Sequence, residues 1–354
     1  MSSDKTAGPI RLGLLGIGRA GNGMHFGELA GQEDKFRYVA CCDLIEQRVA
    51  DTVARFEGCR GYARYEDMLA DENVEIVDIA TRSCDHFAHA KLALEAGKSV
   101  LIEKPMTCTF DEAKKLVAIA ETAPGSLYVR HNRRFEPAFQ HIREIIASGI
   151  LGDVYEIKLR RVGYGRRDDW QTIKEFGGGQ LLNWGPHVID HALRLLESPV
   201  KSMWSNLRRI AAVGDAEDHV RFIVTGENGR IVDGGISGGT AIGEPEYLIW
   251  GTKGSLSCTG DSITMRYLDP ARPPAPRAAN PETPTVATFG GADNLHWVNA
   301  TITASPATGC DTGSTIWEQL YEAFRNGKPF PITLDEAVGV MEIVSAIKRG
   351  TEFE

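Results

Sequence analysis

A chain of 354 residues exceeds the span of one usual hydrophobic core, so two domains are expected; 42% apolar and 25% charged residues exclude a disordered or fibrous class. A formal charge of -9 argues against a nucleic-acid partner. Seven scattered cysteines (Cys41, Cys42, Cys59, Cys84, Cys108, Cys258 and Cys310) with no CxxC suit reduced thiols; no apolar run approaches a bilayer span and the N-terminus is polar, so a cytoplasmic protein without a membrane partner is expected.

Residues 9 to 130 alternate short apolar runs with helical patterns, as parallel sheets with crossover helices do. Strands are expected at 10–15, 37–42, 75–80, 99–102 and 127–130, with helices over 44–57 and 85–96. Thr109 with Glu112 three residues on forms a capping box opening a helix over 110–122. The first strand runs into Gly16-Ile17-Gly18-Arg19-Ala20-Gly21 at the mouth of a helix. Glycines at that spacing supply a tight turn, close approach to a pyrophosphate and helix-to-strand contact, the dinucleotide-binding fingerprint of a Rossmann domain. Asp43 ends the second strand, where a carboxylate accepts from both ribose hydroxyls and repels a 2′-phosphate, so NAD is favoured over NADP. Arg48 would soften that preference if it folded back.

Beyond a helix over 136–148 the texture changes to long strands, 153–163, 200–212, 218–226, 230–237 and 246–260, without intervening helices. The expected architecture is α/β: a Rossmann NAD-binding domain over residues 1–130, then an α+β domain over 131–354 with a large open, mostly antiparallel sheet for substrate binding and oligomerisation. The proline-rich stretch 269–287 reads as an exposed loop, and helices over 313–326 and 334–348 close the chain.

Two segments stand out chemically. Glu103-Lys104-Pro105 follows a strand at the carboxyl edge where open α/β sheets bind ligands. Gly177-Gly178-Gly179 leads into a helix that begins Gly185-Pro186-His187, delivering an imidazole to a helix's first turn where the dipole disfavours its charged form. Three bare residues suggest a backbone that lets a ligand come close.

These segments, with Ala80-Thr81 and His86, "LALEAGKSVLIEKPM", "NRRFEPAF", "GGGQLLNWGPHVID" and "GTKGSL", resemble the glucose-fructose oxidoreductase, inositol dehydrogenase and rhizopine-catabolism (Gfo/Idh/MocA) family over nearly the whole chain. The resemblance implies a catalytic Lys104 beside the nicotinamide, a peptide bond before Pro105 that is commonly cis, and His187 as acid/base partner. Asn183 stands where the family commonly has aspartate, and an amide cannot stabilise His187 as imidazolium. Catalysis is therefore assigned to Lys104, His187 and Asn183, and cofactor contact to Gly16, Gly18, Arg19, Ala20, Gly21, Asp43, Thr81, Arg82, His86, Glu103 and Lys104. Arg82 replaces a common proline.

Among Asn132, Arg133 and Arg134, one arginine is expected to buttress the Glu103-Lys104-Pro105 loop. Substrate contact is assigned to Arg134, Tyr164, Arg166, Trp170, Asn183 and His187; Arg166 and Arg167 together would also suit a carboxylate or phosphate. His187, Asp190 and His191 share a helix face, but no further ligand motif supports a metal. The expected activity is NAD-dependent oxidation of a secondary hydroxyl of a sugar, cyclitol or glycoside by a homodimer or homotetramer. The alternatives are redox-neutral use of bound NAD on glycosides and a non-catalytic sugar or NAD sensor.

Overall fold

The computed structural model describes residues 8–279, 281–282, 293–304 and 312–354. Cys310 and parts of the N-terminal tail and proline-rich stretch lie outside the described residues; residues 270–279 of that stretch are exposed and without regular structure.

β1 (Ile10–Leu15), β2 (Phe36–Cys42), β3 (Arg60–Tyr62), β4 (Ile76–Ile79), β5 (Ser99–Glu103) and β6 (Leu127–Arg130) form a parallel sheet in the order β3-β2-β1-β4-β5-β6. β4, β5 and β6 are buried throughout, as strands covered on both faces must be. The covering helices are α1 (Phe26–Glu28), α2 (Glu46–Arg55), α3 (Tyr65–Leu69), α4 (His86–Glu95) and α5 (Phe110–Thr122). α5 opens with the expected capping box of Thr109 and Glu112. The strand order reverses between β1 and β4, which opens the crevice where such sheets take nucleotides.

After α6 (Pro137–Ala147), β7 (Val154–Val162), β8 (Val200–Arg208), β9 (His219–Gly226), β10 (Ile231–Ser237), β11 (Tyr247–Gly251), β12 (Gly254–Thr259), β13 (Ser262–Leu268) and β14 (Trp297–Thr303) build a second sheet. It is antiparallel except where β7 meets β10. On β9 burial alternates strictly: Val220, Phe222 and Val224 face inward. That face lies under α8 (Gly185–Leu196) and α10 (Leu334–Lys348), while the other face is open, the half-solvated pattern of antiparallel sheets.

Three expectations change. The stretch 246–260 is the hairpin of β11 and β12, because Thr252-Lys253 makes a turn between Gly251 and Gly254; a Cβ at Gly251 would lie 2.3 Å from the Leu151 carbonyl. The strand expected over 200–212 ends at Arg208, where the next backbone N–H groups bond the Asp218 carboxylate instead of a strand. β13 and β14, polar on alternate residues, were not foreseen.

The chain then returns to the first sheet. α9 (Thr312–Asn326) buries Ile316, Trp317 and Leu320 against Ile10, Phe36 and Tyr38. Its Arg325 grips Glu75 with both nitrogens, at 2.9 and 2.7 Å, and donates to the Gly8 and Pro9 carbonyls. Arg325→Ala leaves Glu75 with Arg11 alone, and roughly 3 kcal/mol of stability should be lost, read from urea unfolding.

Candidate active site

The turn after β1 is shaped for something other than protein. At Gly16, φ is 91° and a Cβ would lie 2.7 Å from the Ala80 carbonyl; at Gly21 it would lie 2.5 Å from the Gly16 carbonyl. Those two glycines are required by the chain's own packing. At Gly18 the nearest atom to a Cβ is an Arg48 guanidinium nitrogen 4.0 Å away. The space above Gly18 is open, where a pyrophosphate approaches backbone N–H groups. Asp43 fixes the turn from the end of β2: Oδ2 accepts from Ile17 N at 2.6 Å and Oδ1 from Ile45 N at 2.9 Å. Arg48 Nη1 lies 3.5 Å from Oδ2. This cradle and its carboxylate fit a dinucleotide, the glycine amides toward the pyrophosphate and Asp43 toward the adenosine ribose.

Behind the crevice lies a buried network that the sequence reading missed. His25 is wholly buried, with Nδ1 2.8 Å from Asp78 and Nε2 3.0 Å from Glu103. Both ring nitrogens face carboxylate oxygens, which only accept, so the ring carries both protons. Burial opposes that charge most strongly, but the Asp78 charge and the hydrogen bonds to Asp78 and Glu103 together outweigh it, and the pKa is raised to about 9. Arg130 donates to Glu103 Oε1 at 2.7 Å and also to Glu28, which takes Trp317 Nε1 at 2.8 Å. Glu103 Oε2 accepts from Lys104 N at 3.1 Å. Burial pushes the Glu103 carboxyl up, but Arg130 and His25 pull it well below the usual carboxylate range.

Glu103 thus faces inward and orients Lys104, which corrects its assignment as a cofactor contact. The arginine that buttresses the loop is Arg130, not one of residues 132 to 134. His86 is corrected in the same way: Nδ1 lies 2.6 Å from the Pro105 carbonyl and Nε2 3.3 Å from that of Thr81, so the buried ring sits between the loop whose Lys104-Pro105 bond is cis and the segment after β4.

The glycine run has a different cause from the one expected. A Cβ at Gly177 (φ 70°) would lie 2.7 Å from Cys108 Sγ, at Gly178 2.6 Å from the Ile173 carbonyl, and at Gly179 (φ 107°) 2.3 Å from the Glu217 carboxylate. All three are buried against the protein itself. They do not open a path for substrate; they let the loop after β5 and the start of α7 (Gln180–Asn183) touch. Glu217 holds that start, its main-chain carbonyl accepting from Gln180 N and its carboxylate from Leu181 N, each at 3.0 Å.

α7 and α8 break at Trp184. His187 N donates to the Trp184 carbonyl at 3.1 Å, and the Asn183 carbonyl accepts from Lys104 Nζ at 3.1 Å. Lys104, on the first sheet, therefore meets the turn that carries His187. Burial lowers the Lys104 pKa; Glu103 opposes this, and Arg133, Arg130 and Arg19 add to it. Burial also takes His187 well below its ordinary value, with Lys104 and Arg133 next in weight. His187 is 6% exposed and its Nδ1 has no hydrogen-bond partner among the described residues. A neutral imidazole and an amine retaining free N–H donors stand together at the crevice.

The other named residues divide. Arg19 is exposed at the crevice mouth, its charge felt by Lys104 and Asp169. Ala20 is half-buried beside it. Thr81 Oγ1 lies 3.1 Å from His89 Nδ1, and the Arg82 guanidinium sits 4.4 Å above the Phe176 ring, both spent on the protein. The Asn183 side chain accepts from Gln171 at 3.4 Å. Arg134 is corrected as a substrate contact, because it is clamped by Asp190, Glu336 and the Pro331 carbonyl. Asp190 is thereby taken, and His191 bonds Tyr247 and the Arg133 carbonyl while stacking on Phe139 at 3.8 Å. Among the described residues no group of three or more His, Cys, Asp or Glu side chains is placed to hold a metal.

Tyr164 and Arg166 are exposed, and Trp170 opens a short turn. Trp184, not singled out from sequence, lies between the Arg133 and Arg161 guanidiniums at 4.5 and 5.7 Å, its ring edge-on to His187 at 6.0 Å. Beside it a recess of about 390 Å³ opens at the carboxyl ends of β7 and β10.

A parallel nucleotide-binding sheet joined to an open sheet, with lysine and histidine at the seam, defines an oxidoreductase with an NAD-binding Rossmann domain. Residues 10–131 match the family model described as "Oxidoreductase family, NAD-binding Rossmann fold", and residues 139–257 match the "GFO/IDH/MocA C-terminal domain". The chain belongs to the Gfo/Idh/MocA family of oxidoreductases. Among its relatives, scyllo-inositol 2-dehydrogenase (NADP(+)) IolW of Bacillus subtilis is 27% identical, with 97% of this chain and 94% of that protein covered. D-glucoside 3-dehydrogenase of Escherichia coli is 30% identical, covering 57% and 59%. An NAD-binding protein from Listeria innocua shares the fold over 98% of both chains, with a TM-score of 0.80 and 26% identity. No helix among the described residues is long and apolar enough to cross a membrane.

Two outcomes follow from the network and the cradle. His25 is bound more tightly to its proton in the folded than in the unfolded protein, so its contribution is complete below pH 6.5 and is lost as pH rises through about 9. Unfolding free energy, measured by urea titration, should fall by on the order of 3 kcal/mol across that window; the His25→Asn variant should lack the slope. Gly18→Val should keep stability within about 0.5 kcal/mol yet weaken NADH binding at least about tenfold, read by NADH fluorescence titration.

Proposed function

We propose that the protein is an NAD-dependent dehydrogenase that oxidises a secondary hydroxyl of a sugar, cyclitol or glycoside. One observation carries this reading: Lys104 Nζ donates to the carbonyl of Asn183, one helical turn before His187, so the amine of one domain and the imidazole of the other share a site at the crevice. NAD, which the Gly16–Gly21 turn and Asp43 would hold, would supply the acceptor for the hydride that leaves the carbinol carbon. The chain's own groups manage the oxygen. Lys104, one N–H held by Asn183, has donors left for the substrate hydroxyl and steadies the negative charge that builds on its oxygen. A ring nitrogen of His187, neutral through burial and its cationic neighbours, takes the hydroxyl proton. Glu103, His25, Arg130 and His86 hold the lysine loop in place.

Asp43 supports NAD over NADP; Arg48 beside it would attract a 2′-phosphate, and the related IolW is named for NADP(+). The protein is proposed to act in the cytoplasm as a homodimer or homotetramer, with the open sheet face, where Trp204 and Trp297 are exposed, as the contact. Nucleic acid and membrane play no part in this reading.

On mixing with NAD and a panel of polyols and glycosides, absorbance of NADH should rise. Lys104→Ala and His187→Ala should each lower kcat by about 10²–10⁴-fold while NADH still binds. The wild-type kcat/KM should stay level through neutral pH and fall only on the acid side of 6.5, as His187 takes a proton before substrate arrives. Full turnover in Lys104→Ala would sink the assignment.

A further inference from the structure

The recess beside Trp184 is chemically unusual for a pocket so rich in arginine. Arg160 pairs with Asp233 at 3.0 Å and with Glu244; Arg161 pairs with Glu136 at 2.9 Å and with Glu246. Arg167 is gripped by Asp169 at 2.9 and 2.8 Å. Each guanidinium that lines the space is already matched by carboxylates, and two of those, Glu244 and Glu246, line it too. An incoming carboxylate or phosphate would meet no unspent cation and would be repelled by acids. Of the adjacent arginines that in sequence suit an anion, Arg167 lines the recess with its charge taken by Asp169, and Arg166 does not line it.

A hydroxyl finds the opposite. Glu244 and Glu246 can accept from it, and the guanidiniums can donate to it. The exposed ring of Tyr164 adds an apolar face. At about 390 Å³ the space falls in the ~300–1,000 Å³ range of sites that enclose a whole small ligand. It is not where the chemistry occurs: neither Lys104 nor His187 lines it. Gln180 and Trp184 form one row of the helical turn, and Asn183 and His187 the next. The recess thus adjoins the reacting carbinol without containing it.

We propose that this recess binds an uncharged polyhydroxyl unit joined to the ring that is oxidised, so that the substrate is a neutral glycoside larger than one sugar ring. The inference rests on the dehydrogenase reading, which fails separately if no sugar reduces NAD.

Gly163 lines the recess, and a Cβ there meets nothing within 4 Å, so Gly163→Trp fills the space without disturbing the fold. With NAD saturating, kcat/KM is compared for the methyl glycoside that turns over best, disaccharides built on that sugar, its uronic acid and its 6-phosphate. The disaccharide should exceed the methyl glycoside by at least about tenfold, about 1.4 kcal/mol, and the two anions should gain nothing. Gly163→Trp should erase the disaccharide's advantage and leave the methyl glycoside as it was. Equal rates for disaccharide and methyl glycoside, a preference for either anion, or an equal loss on both sugars in Gly163→Trp would overturn the proposal. Should no sugar reduce NAD, calorimetric titration of neutral disaccharides (maltose, cellobiose, lactose, sucrose and trehalose) in the presence of NADH still decides the recess: binding of any of them to wild type and not to Gly163→Trp supports it, and binding to neither or to both overturns it.

Discussion

Much of this structure turns on how one carboxylate is held. Glu103 ends β5 in the protein interior, and a lone anion there would be too costly to keep. It is kept because Arg130 comes from the neighbouring strand and His25, held in its protonated form by the Asp78 carboxylate, comes from the helix after the glycine turn. Its other oxygen takes the amide of Lys104. The glycine turn, the sheet edge and the lysine loop are thus tied to a single group. Trp317 of α9 reaches the same network through Glu28, so the end of the chain supports the site begun near residue 16.

A second constraint is contact at the seam. Lys104 belongs to the parallel sheet and His187 to the helices of the open sheet, and the two must meet without a gap. The glycine run achieves this by removing side chains where Cys108, the Ile173 backbone and Glu217 already stand. Close approach of protein to protein, with Glu217 capping α7, puts the Asn183 carbonyl where Lys104 can donate to it. The departure from aspartate at 183 matters less for this contact, which uses the main chain.

The fold was largely legible. Buried strands with crossover helices, the Gly16 to Gly21 spacing, the Thr109 capping box and the alternation on β9 are local patterns, and each appeared where its residues placed it. The hairpin at residue 252 was missed because two strands of alternating apolar residues read as one when only a Thr-Lys pair separates them. At the site, Lys104 and His187 were visible as motifs. Arg134, His86 and Glu103 were visible too, but their partners were not, so residues that hold the site were taken for residues that touch ligands.

The sequence by itself determined the doubly wound domain, the dinucleotide turn, the acid at the end of β2 and the segments carrying lysine and histidine, because strand periodicity and glycine conformation act over a few neighbouring residues. Only the tertiary structure decided which charges are spent and which are free. His25 is an ordinary residue until Asp78 and Glu103 close on it from 53 and 78 positions away, and Arg160 is an anion binder until Asp233 and Glu244 reach it. Electrostatic pairing in a buried site is set by distance and desolvation, and neither is written in the order of the residues.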